Sequence, residues 1–536
     1  MTAATVGADA LDSLVIAPML VVLVAAVATL SLRGRPRART AVSLAGGLGY
    51  VLAVAAIDWY VVLAPDAPGI ATYQVGAHPA PFGITLVADG LSAFMLSMAA
   101  VVALASLVFS ARFLPRYDRR TFYFPLFHFL LLGITGAFLT GDLFNLFVWF
   151  EVMLMASYVF VAFYGGARHT RAAFWYVALN LVASAIFLLG VGGLYATTGT
   201  LNMADLSMRL TDPAGYGIDP GPVVGLVGLL LSVFAIKAGL VPFQFWIPGA
   251  YSAAPPPIAA MLAGATKKVG IYAIVRLSFT VLAGADVPVD LGIVAGDSPL
   301  AFVGPLLFVL GAASVLVGGV GAVGRDSIEG VLAYSSIGQV GFIVIPVAVA
   351  ATASSPDLRR IAVLAALVYA LNHALAKGLL FLSVGAVRDA AGTSRFEDLG
   401  GFAGRAPALS IAFFVGALAL VGIPPLSGFF GKFLVFDAVV RAGSAPTLAV
   451  LLGGSLLTIA YTTRAWNGCF WGPAPDVVEN ATVDPVEVAV LVALAALVVG
   501  VGVGFDPVYR FADVAATAAL DAEGYVEAVA PGGEIA

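Results

Sequence analysis

The chain has 536 residues, 61% of them hydrophobic and 11% charged, with a mean hydropathy of +1.02 and a net charge of −5. A soluble protein of this length carries charge over most of its surface, so this composition implies a chain solvated by lipid, and the small net charge gives no sign of a nucleic-acid surface. The single cysteine, Cys469, excludes an internal disulfide, a cysteine-rich zinc site and an iron–sulfur cluster held by this chain alone.

Apolar runs long enough to cross a bilayer, about 20 residues each, recur from Leu14 almost to Phe505. Fourteen spans are expected: 13–32, 41–63, 84–110, 122–140, 143–164, 172–197, 222–252, 256–282, 302–323, 328–350, 361–387, 407–442, 445–470 and 485–505. Residues 1–12 carry no Lys or Arg, so a cleavable signal peptide is not expected and the first span is retained. The runs 222–252 and 407–442 exceed one straight crossing and hold Pro242 with Pro248 and Pro424 with Pro425. Proline removes a backbone donor and clashes with the preceding turn, so both read as broken helices. A membrane tolerates such breaks where the freed backbone is buried in protein or lines a wet cavity. Breaks in corresponding places of two halves point to a transport site and to inverted repeats.

The expected fold is therefore an all-α integral membrane protein of about 14 transmembrane helices, with two inverted five-helix repeats in spans 4–8 and 9–13. Its regions are a three-helix segment (1–121), a first repeat (122–282), a second, inverted repeat (302–470), and a last helix with an acidic tail (471–536). That tail, with Tyr509, Phe511 and Tyr525, reads either as an interfacial helix or as a solvated extension.

Alternation of the spans gathers 15 of the 26 basic residues on one side: Arg33, Arg35, Arg37, Arg39, Arg112, Arg116, Arg119, Arg120, Arg168, Arg171, Arg325, Arg388, Arg395, Arg405 and Arg464. Only Arg209, Arg359, Arg360, Arg441 and Arg510 fall on the other. The positive-inside rule makes the richer side cytoplasmic and places both termini outside the cell membrane.

The remaining six basic residues lie inside spans: Lys237, Lys267, Lys268, Arg276, Lys377 and Lys432. All five lysines of the chain are thus intramembrane. A charge in that position costs about 2.5–3.5 kcal/mol on insertion scales and marks a functional site by default. Lysine suits proton transfer, because an amine in an apolar setting releases its proton far more readily than a guanidinium does. Glu151, deep in span 5, is the expected ion-pair partner of these lysines. His373 and Lys377, spaced i, i+4, share one helix face, and an imidazole can relay a proton to its neighbour.

Simpler readings stand beside these. Lysine and arginine near helix ends snorkel to the interface, a reading open to Arg276 and to one of Lys267 and Lys268. Adjacent helical residues point about 100° apart, so only one of those two lysines is expected to face the file. Asp89 and Asp437 read as interfacial or capping groups, Asp142 as an N-cap, and His128 as either a packing histidine or a relay. His78 and His169 fall in loops. No phosphate-binding glycine motif is present.

The segment GDLFNLFVWFEVMLMASYVFVAFYG (Gly141–Gly165) resembles the fifth helix of the antiporter-like subunits shared by Mrp-type cation/proton antiporters and the proton-pumping arm of respiratory complex I. IKAGLVPFQFWIPGAYSAAPPPIAAMLAGATKKVGIYAIVR (Ile236–Arg276) is similar to their seventh and eighth helices. NHALAKGLLFLSVGAV (Asn372–Val387) is similar to the eleventh and GIPPLSGFFGKF (Gly422–Phe433) to the twelfth. The D branch of the Mrp group is resembled most, through PAPFGITLVADGLSAFM (Pro79–Met95), Met-Leu-Met-Ala-Ser-Tyr at 153–158 and the Tyr-Val-Glu-Ala-Val tail at 525–529. The resemblance implies a proton path of Glu151, Lys237, Lys268, His373, Lys377 and Lys432, with Lys268 fitting its position better than Lys267.

It further implies a non-enzymatic subunit of a multisubunit Na⁺/proton antiporter. That subunit would have no cofactor of its own, and its partners would be other membrane subunits. The alternative it implies is a proton-pumping membrane subunit of an NADH–quinone oxidoreductase, with the redox centres on partner chains.

Overall fold

The computed structural model describes residues 3–114 and 121–530, with side chains from Ser13 onward. Arg116, Arg119 and Arg120 of the basic side lie outside the described residues. Almost every element is a helix, as lipid requires, since a helix satisfies its own backbone polar groups.

The N-terminal region contains α1 (Ala3–Ser31), α2 (Pro36–Ile57) and α3 (Gly90–Phe113). A π-helical turn, Asp58–Leu63, prolongs α2. A short antiparallel ribbon, β1 (Ile70–Gln74) with β2 (Thr85–Asp89), pairs Ile70 with Asp89 and leads into α3. The expected third span thus begins as a strand. Its helix starts at Gly90, where Asp89 accepts from the Ser92 amide at 2.8 Å and fixes the N-terminus.

The first unit follows: α4 (Tyr123–Leu139), α5 (Leu143–Val161), α6 (Gly166–Thr198), the short α7 (Met203–Thr211), α8 (Val223–Ala238), α9 (Trp246–Ala253), α10 (Pro256–Met261) and α11 (Lys267–Val275). Asp142 caps α5 through the Asn145 amide at 2.6 Å, as expected. α10 and α11 form one span, Pro256–Val281, with π-helical turns at Leu262–Thr266 and Arg276–Val281. A loop carrying the two-residue strands β3 (Val289–Asp290) and β4 (Ala295–Gly296) leads onward.

The second unit contains α12 (Leu300–Val323), α13 (Ile328–Thr352), α14 (Pro356–Ala391), α15 (Phe402–Arg405), α16 (Pro407–Val421), α17 (Ser427–Arg441) and α18 (Ala445–Cys469). The chain ends with α19 (Asp476–Glu479), α20 (Pro485–Val503), α21 (Phe505–Leu520) and α22 (Ala522–Val529). Thr280 Oγ1 donates to Ala519 O at 3.4 Å, and Phe94 packs edge-on against Phe511 at 5.4 Å. The tail is therefore helical and docked on the bundle.

Among the described residues eleven continuous helical spans are long and apolar enough to cross a membrane. Three shorter apolar helices, Tyr123–Leu139, Val223–Ala238 and Pro407–Val421, occupy the places expected for spans 4, 7 and 12. Both predicted breaks are present. α8 stops at Gly239 (φ +72°) and the chain resumes helical form at Trp246. α16 stops at Gly422 (φ +94°) and resumes at Ser427. Glycine reaches this left-handed conformation without a Cβ clash, which makes it a natural helix terminator.

Burial separates the helices sharply. The apolar window of Pro256–Val281 is entirely buried, and those of α13 and α14 are 94% buried, whereas α2 and α20 bury about a third of theirs. The central helices are surrounded by protein, which explains why they are apolar on every side instead of amphipathic. They also carry Lys267, Lys268, His373 and Lys377.

Candidate functional site

None of the five lysines reaches an interface. Lys267, Lys268 and Lys377 are 0% exposed, Lys237 4% and Lys432 6%. Snorkelling is overturned for Lys267 and Lys268 alike. It is also overturned for Arg276, which is 1% exposed and forks onto Asp89 at 2.7 and 2.9 Å. Asp89 is thus a buried cap and ion-pair partner and no interfacial group. Burial works to raise its carboxyl, and the Arg276 guanidinium outweighs that and holds it below the usual carboxylate range. Tyr272 and Tyr525 stack their rings on the guanidinium at 5.2 and 5.0 Å.

At one end of the file sits Glu151, half-buried on α5. The expected direct ion pair with Lys237 is not formed. Two residues one turn apart on α6 stand between them. Ser184 Oγ donates to Glu151 Oε1 at 2.5 Å and to Asn180 O at 2.9 Å, while Lys237 Nζ donates to Asn180 Oδ1 at 3.3 Å. Lys237 lies in the last turn of α8, where the helix dipole favours a cation. The Phe150 ring lies 5.7 Å from its ammonium.

The first break leads to Lys267. A Cβ on Gly239 would come within 3.3 Å of Lys267 Cε, so the stem of this lysine lies against the break. Its Nζ donates across to Ser336 O on α13 at 3.0 Å. The expectation that only one of the adjacent lysines turns inward fails because the whole span is enclosed: every direction around it is interior. The π turn before them contributes, since Lys268 Nζ donates back to Ala263 O within it at 2.7 Å.

Lys268 also shares a 2.6 Å hydrogen bond with His373 Nδ1 on α14. This contact joins the first unit to the second. The other ring nitrogen, His373 Nε2, is buried with no hydrogen-bond partner among the described residues. Beside it, Asn372 donates to Ala419 O at 3.4 Å and accepts from Ser427 Oγ at 2.8 Å, spanning the second break. One turn on, Lys377 bonds Leu332 O at 2.9 Å and the Ser335 hydroxyl.

From Ser335 a chain of uncharged groups continues that sequence reasoning missed. Gln339 lies one helical turn on from Ser335 along α13. Gln339 Nε2 donates to Tyr461 Oη at 2.7 Å and to Thr458 Oγ1 at 3.1 Å. Tyr369 donates to Gln339 Oε1, and its ring packs where a Gly431 Cβ would stand, one residue before Lys432. Lys432 Nζ donates to Val421 O at 3.0 Å, capping the open C-terminus of α16 from across the break. The signal was available as single amides and hydroxyls inside apolar spans: Asn180 with Ser184 at i, i+4, and Gln339 alone in α13.

The other candidates lie apart from this file. Asp437 pairs with Arg441 at 2.8 Å in a partly exposed position. His128 Nε2 contacts Ser43 Oγ at 2.9 Å. His169 is in the first turn of α6, not in a loop, and its Nδ1 lies 3.1 Å from Ala253 O. Among the described residues no three His, Cys, Asp or Glu side chains gather as a metal site. A cleft of about 910 Å³ opens at the arginine-rich end between the two units, lined among others by Arg168, Ser252, Glu329 and Arg388.

Residues 140–458, which hold every lysine of this file and Glu151, match the family model described as NADH:quinone oxidoreductase/Mrp antiporter, TM. The chain belongs to that family. It is 34% identical over 481 residues to the D subunit of the Na(+)/H(+) antiporter of Alkalihalophilus pseudofirmus, covering 89% of this chain and 92% of the relative. It is 35% identical over 479 residues to the N subunit of the NADH-quinone oxidoreductase of Desulforudis audaxviator, covering 85% and 89%. Among solved structures, a chain of the Mrp complex from Dietzia sp. superposes with a TM-score of 0.83 at 28% identity, covering 97% of this chain and 99% of that one. The family's span through the membrane and the apolar helices make this a multi-pass membrane protein of the antiporter type, as the sequence motifs implied.

Proposed function

We propose that this chain is the proton-conducting subunit of a multisubunit monovalent cation/proton antiporter. Protons pass along a buried file from Glu151 through Lys237, Lys267, Lys268, His373 and Lys377 to Lys432. The observation that carries the reading is the Lys268–His373 hydrogen bond, which joins two units that each end in a lysine beside a broken helix. Backbone carbonyls, hydroxyls and amides replace the water that each ammonium gives up. A hydrogen bond to a charged group is worth about 1.5–3 kcal/mol, comparable to the insertion cost of one lysine. Conduction is then a sequence of protonation changes in which each amine senses its neighbour.

The two units form an inverted pair, with spans 4–8 and 9–13 on opposite courses. The arginine-rich end faces the cytoplasm, both termini face outward, and the cleft lined by Arg168 and Glu329 is the inner vestibule. Likeness to relatives that are D components of Na(+)/H(+) antiporters supports Na⁺ as the exchanged ion, and likeness to a chain of a complex supports membrane partners. In membranes holding the whole complex, Glu151→Ala and Lys237→Ala lower Na⁺/H⁺ exchange at least about a hundredfold, the lower end of the loss expected for a proton-transfer group. Exchange at the wild-type rate overturns the assignment.

The similarity to a relative from an NADH-quinone oxidoreductase favours a second reading, a proton pump driven by redox partners. The purified complex separates them. Iron–sulfur and flavin subunits travelling with this chain support the redox pump, and hydrophobic subunits without redox centres support the antiporter.

A further inference from the structure

Outside the lysine file, the N-terminal helices hold a second line of buried polar groups. α2 buries one face, through Arg39, Ser43, Gly47, Tyr50, Val54 and Ile57. Polar contacts recur along it. Arg39 donates to Thr121 O at 2.9 Å at the arginine-rich end. Ser43 Oγ then meets His128 Nε2 at 2.9 Å, and Thr135 Oγ1 donates to Tyr50 Oη at 3.1 Å. Finally Ser97 Oγ of α3 donates to Asp58 Oδ2. At 1.5 Å rise per residue, these last three contacts lie roughly 10–12 Å apart along the helix.

Asp58 is unlike the other buried carboxylates. Asp89 caps α3 and is paired with Arg276, Asp205 is paired with Arg209, Glu329 is paired with Arg388, and Glu487 lies in the first turn of α20, where the helix dipole favours a carboxylate. Asp58 continues α2 into a π-helical turn, a distortion frequent at functional sites. Its residue is 9% exposed, and its Oδ1 is buried with no hydrogen-bond partner among the described residues. No ion pair engages it among those residues. A buried carboxylate held by a single hydroxyl, with one oxygen unpartnered, is costly in this position. Further along the line, His128 Nδ1 is likewise buried, with no hydrogen-bond partner among the described residues.

We propose that Asp58, with Ser97, is a proton-binding carboxyl at the far end of a polar line through α2, α3 and α4 that is separate from the lysine file. A proton needs one oxygen, and Oδ1 is free to take it. A hard metal cation gathers six or more oxygens, and Asp58 has one hydroxyl beside it. Exposed Trp59 and Tyr60 follow it, the residue types that mark a membrane–water interface, so the carboxyl stands within reach of that surface. The charged and titratable groups on the elements packed against the turn do not neutralise it. They are Tyr50 on α2 with Arg37 and Arg39 at its far end, Arg112 at the far end of α3, Tyr73 on β1, Asp89 on β2 held by Arg276, and on α21 Tyr509, Asp513 held by Arg360 and the exposed Asp506–Arg510 pair. This site does not depend on the route assigned to the lysines.

The test uses the intact complex in membranes and dicyclohexylcarbodiimide. This apolar reagent takes the proton of a buried carboxylic acid, and the resulting carboxylate adds to its central carbon. Peptide mass spectrometry is expected to find the adduct on Asp58. Its yield falls about tenfold per pH unit once the acid ionises, and added Na⁺ at fixed pH leaves it unchanged. Ser97→Ala keeps the carboxyl and removes its one donor, so the pH midpoint of labelling moves. An unmodified Asp58 in a sample whose other buried carboxyls are labelled overturns the proposal. Protection by Na⁺ also overturns it, because the site would then hold a metal cation. Neither result touches the lysine variants, which test the other route.

Discussion

At the scale of single residues, two kinds of buried charge coexist. Arg276 and Asp89 satisfy each other through a fork of 2.7 and 2.9 Å. The lysines lean on carbonyls, hydroxyls, amides and one imidazole, with no carboxylate in direct contact among the described residues. A permanently charged guanidinium suits a fixed structural tie, and a titratable amine suits a group that changes state. The Asp89 carboxyl, lowered in the folded chain, stabilises the fold above the carboxylate's unfolded value near 3.9 and loses that contribution as pH falls through its lower folded value. Removing one partner leaves the other bare. Arg276→Ala is expected to cost about 3–5 kcal/mol, while the double variant Arg276→Met, Asp89→Leu is near neutral. Thermal unfolding in detergent reads both. A double variant as unstable as the single one would contradict this account of the pair.

At the scale of elements, the broken helices bring the lysines to their partners. The α8 break at Gly239 lets the Lys267 stem pass, and the α16 break exposes the carbonyl that Lys432 caps. Gly239→Ala places a Cβ 2.2 Å from Ile247 Cδ1 and forces a left-handed backbone on a residue for which it costs about 1–2 kcal/mol. Exchange is expected to fall several-fold in this variant. Gly192→Ala in α6 meets nothing within 4 Å and should leave exchange unchanged while adding up to about 1 kcal/mol of helix stability. Equal effects from the two would show that the break has no special role.

Both breaks were legible because proline acts locally, whatever surrounds it, whereas the glycines at which α8 and α16 stop, Gly239 and Gly422, were not singled out. The cap at Asp142 and the burial of every lysine were legible as well. The π turns around Lys267 and Arg276 were not, since hydrogen-bond register in an all-apolar helix leaves no compositional trace. The bridge of Asn180 and Ser184 between Glu151 and Lys237 was hidden by distance in sequence: α5, α6 and α8 meet only once folded.

At the scale of the whole molecule, the functional groups concentrate where burial is complete. Pro256–Val281, α13 and α14 are enclosed by protein along nearly their whole length, and α1, α2, α6, α18 and α20 bury only one face each. The tail helices close over Arg276 through Tyr525. Enclosure raises the cost of each charge and excludes bulk water, and both effects confine protons to the groups the fold supplies. The units meet through a polar side-chain contact between buried titratable residues, Lys268 with His373. The central claim is that protons cross between the units there. The most direct measurement is Na⁺-driven proton movement in liposomes reconstituted with the intact complex carrying His373→Ala, at the assembly level of the wild type. The account predicts a loss of at least about a hundredfold, the lower end of what a positioned proton-transfer group contributes. Proton movement at the wild-type rate in that variant would contradict it.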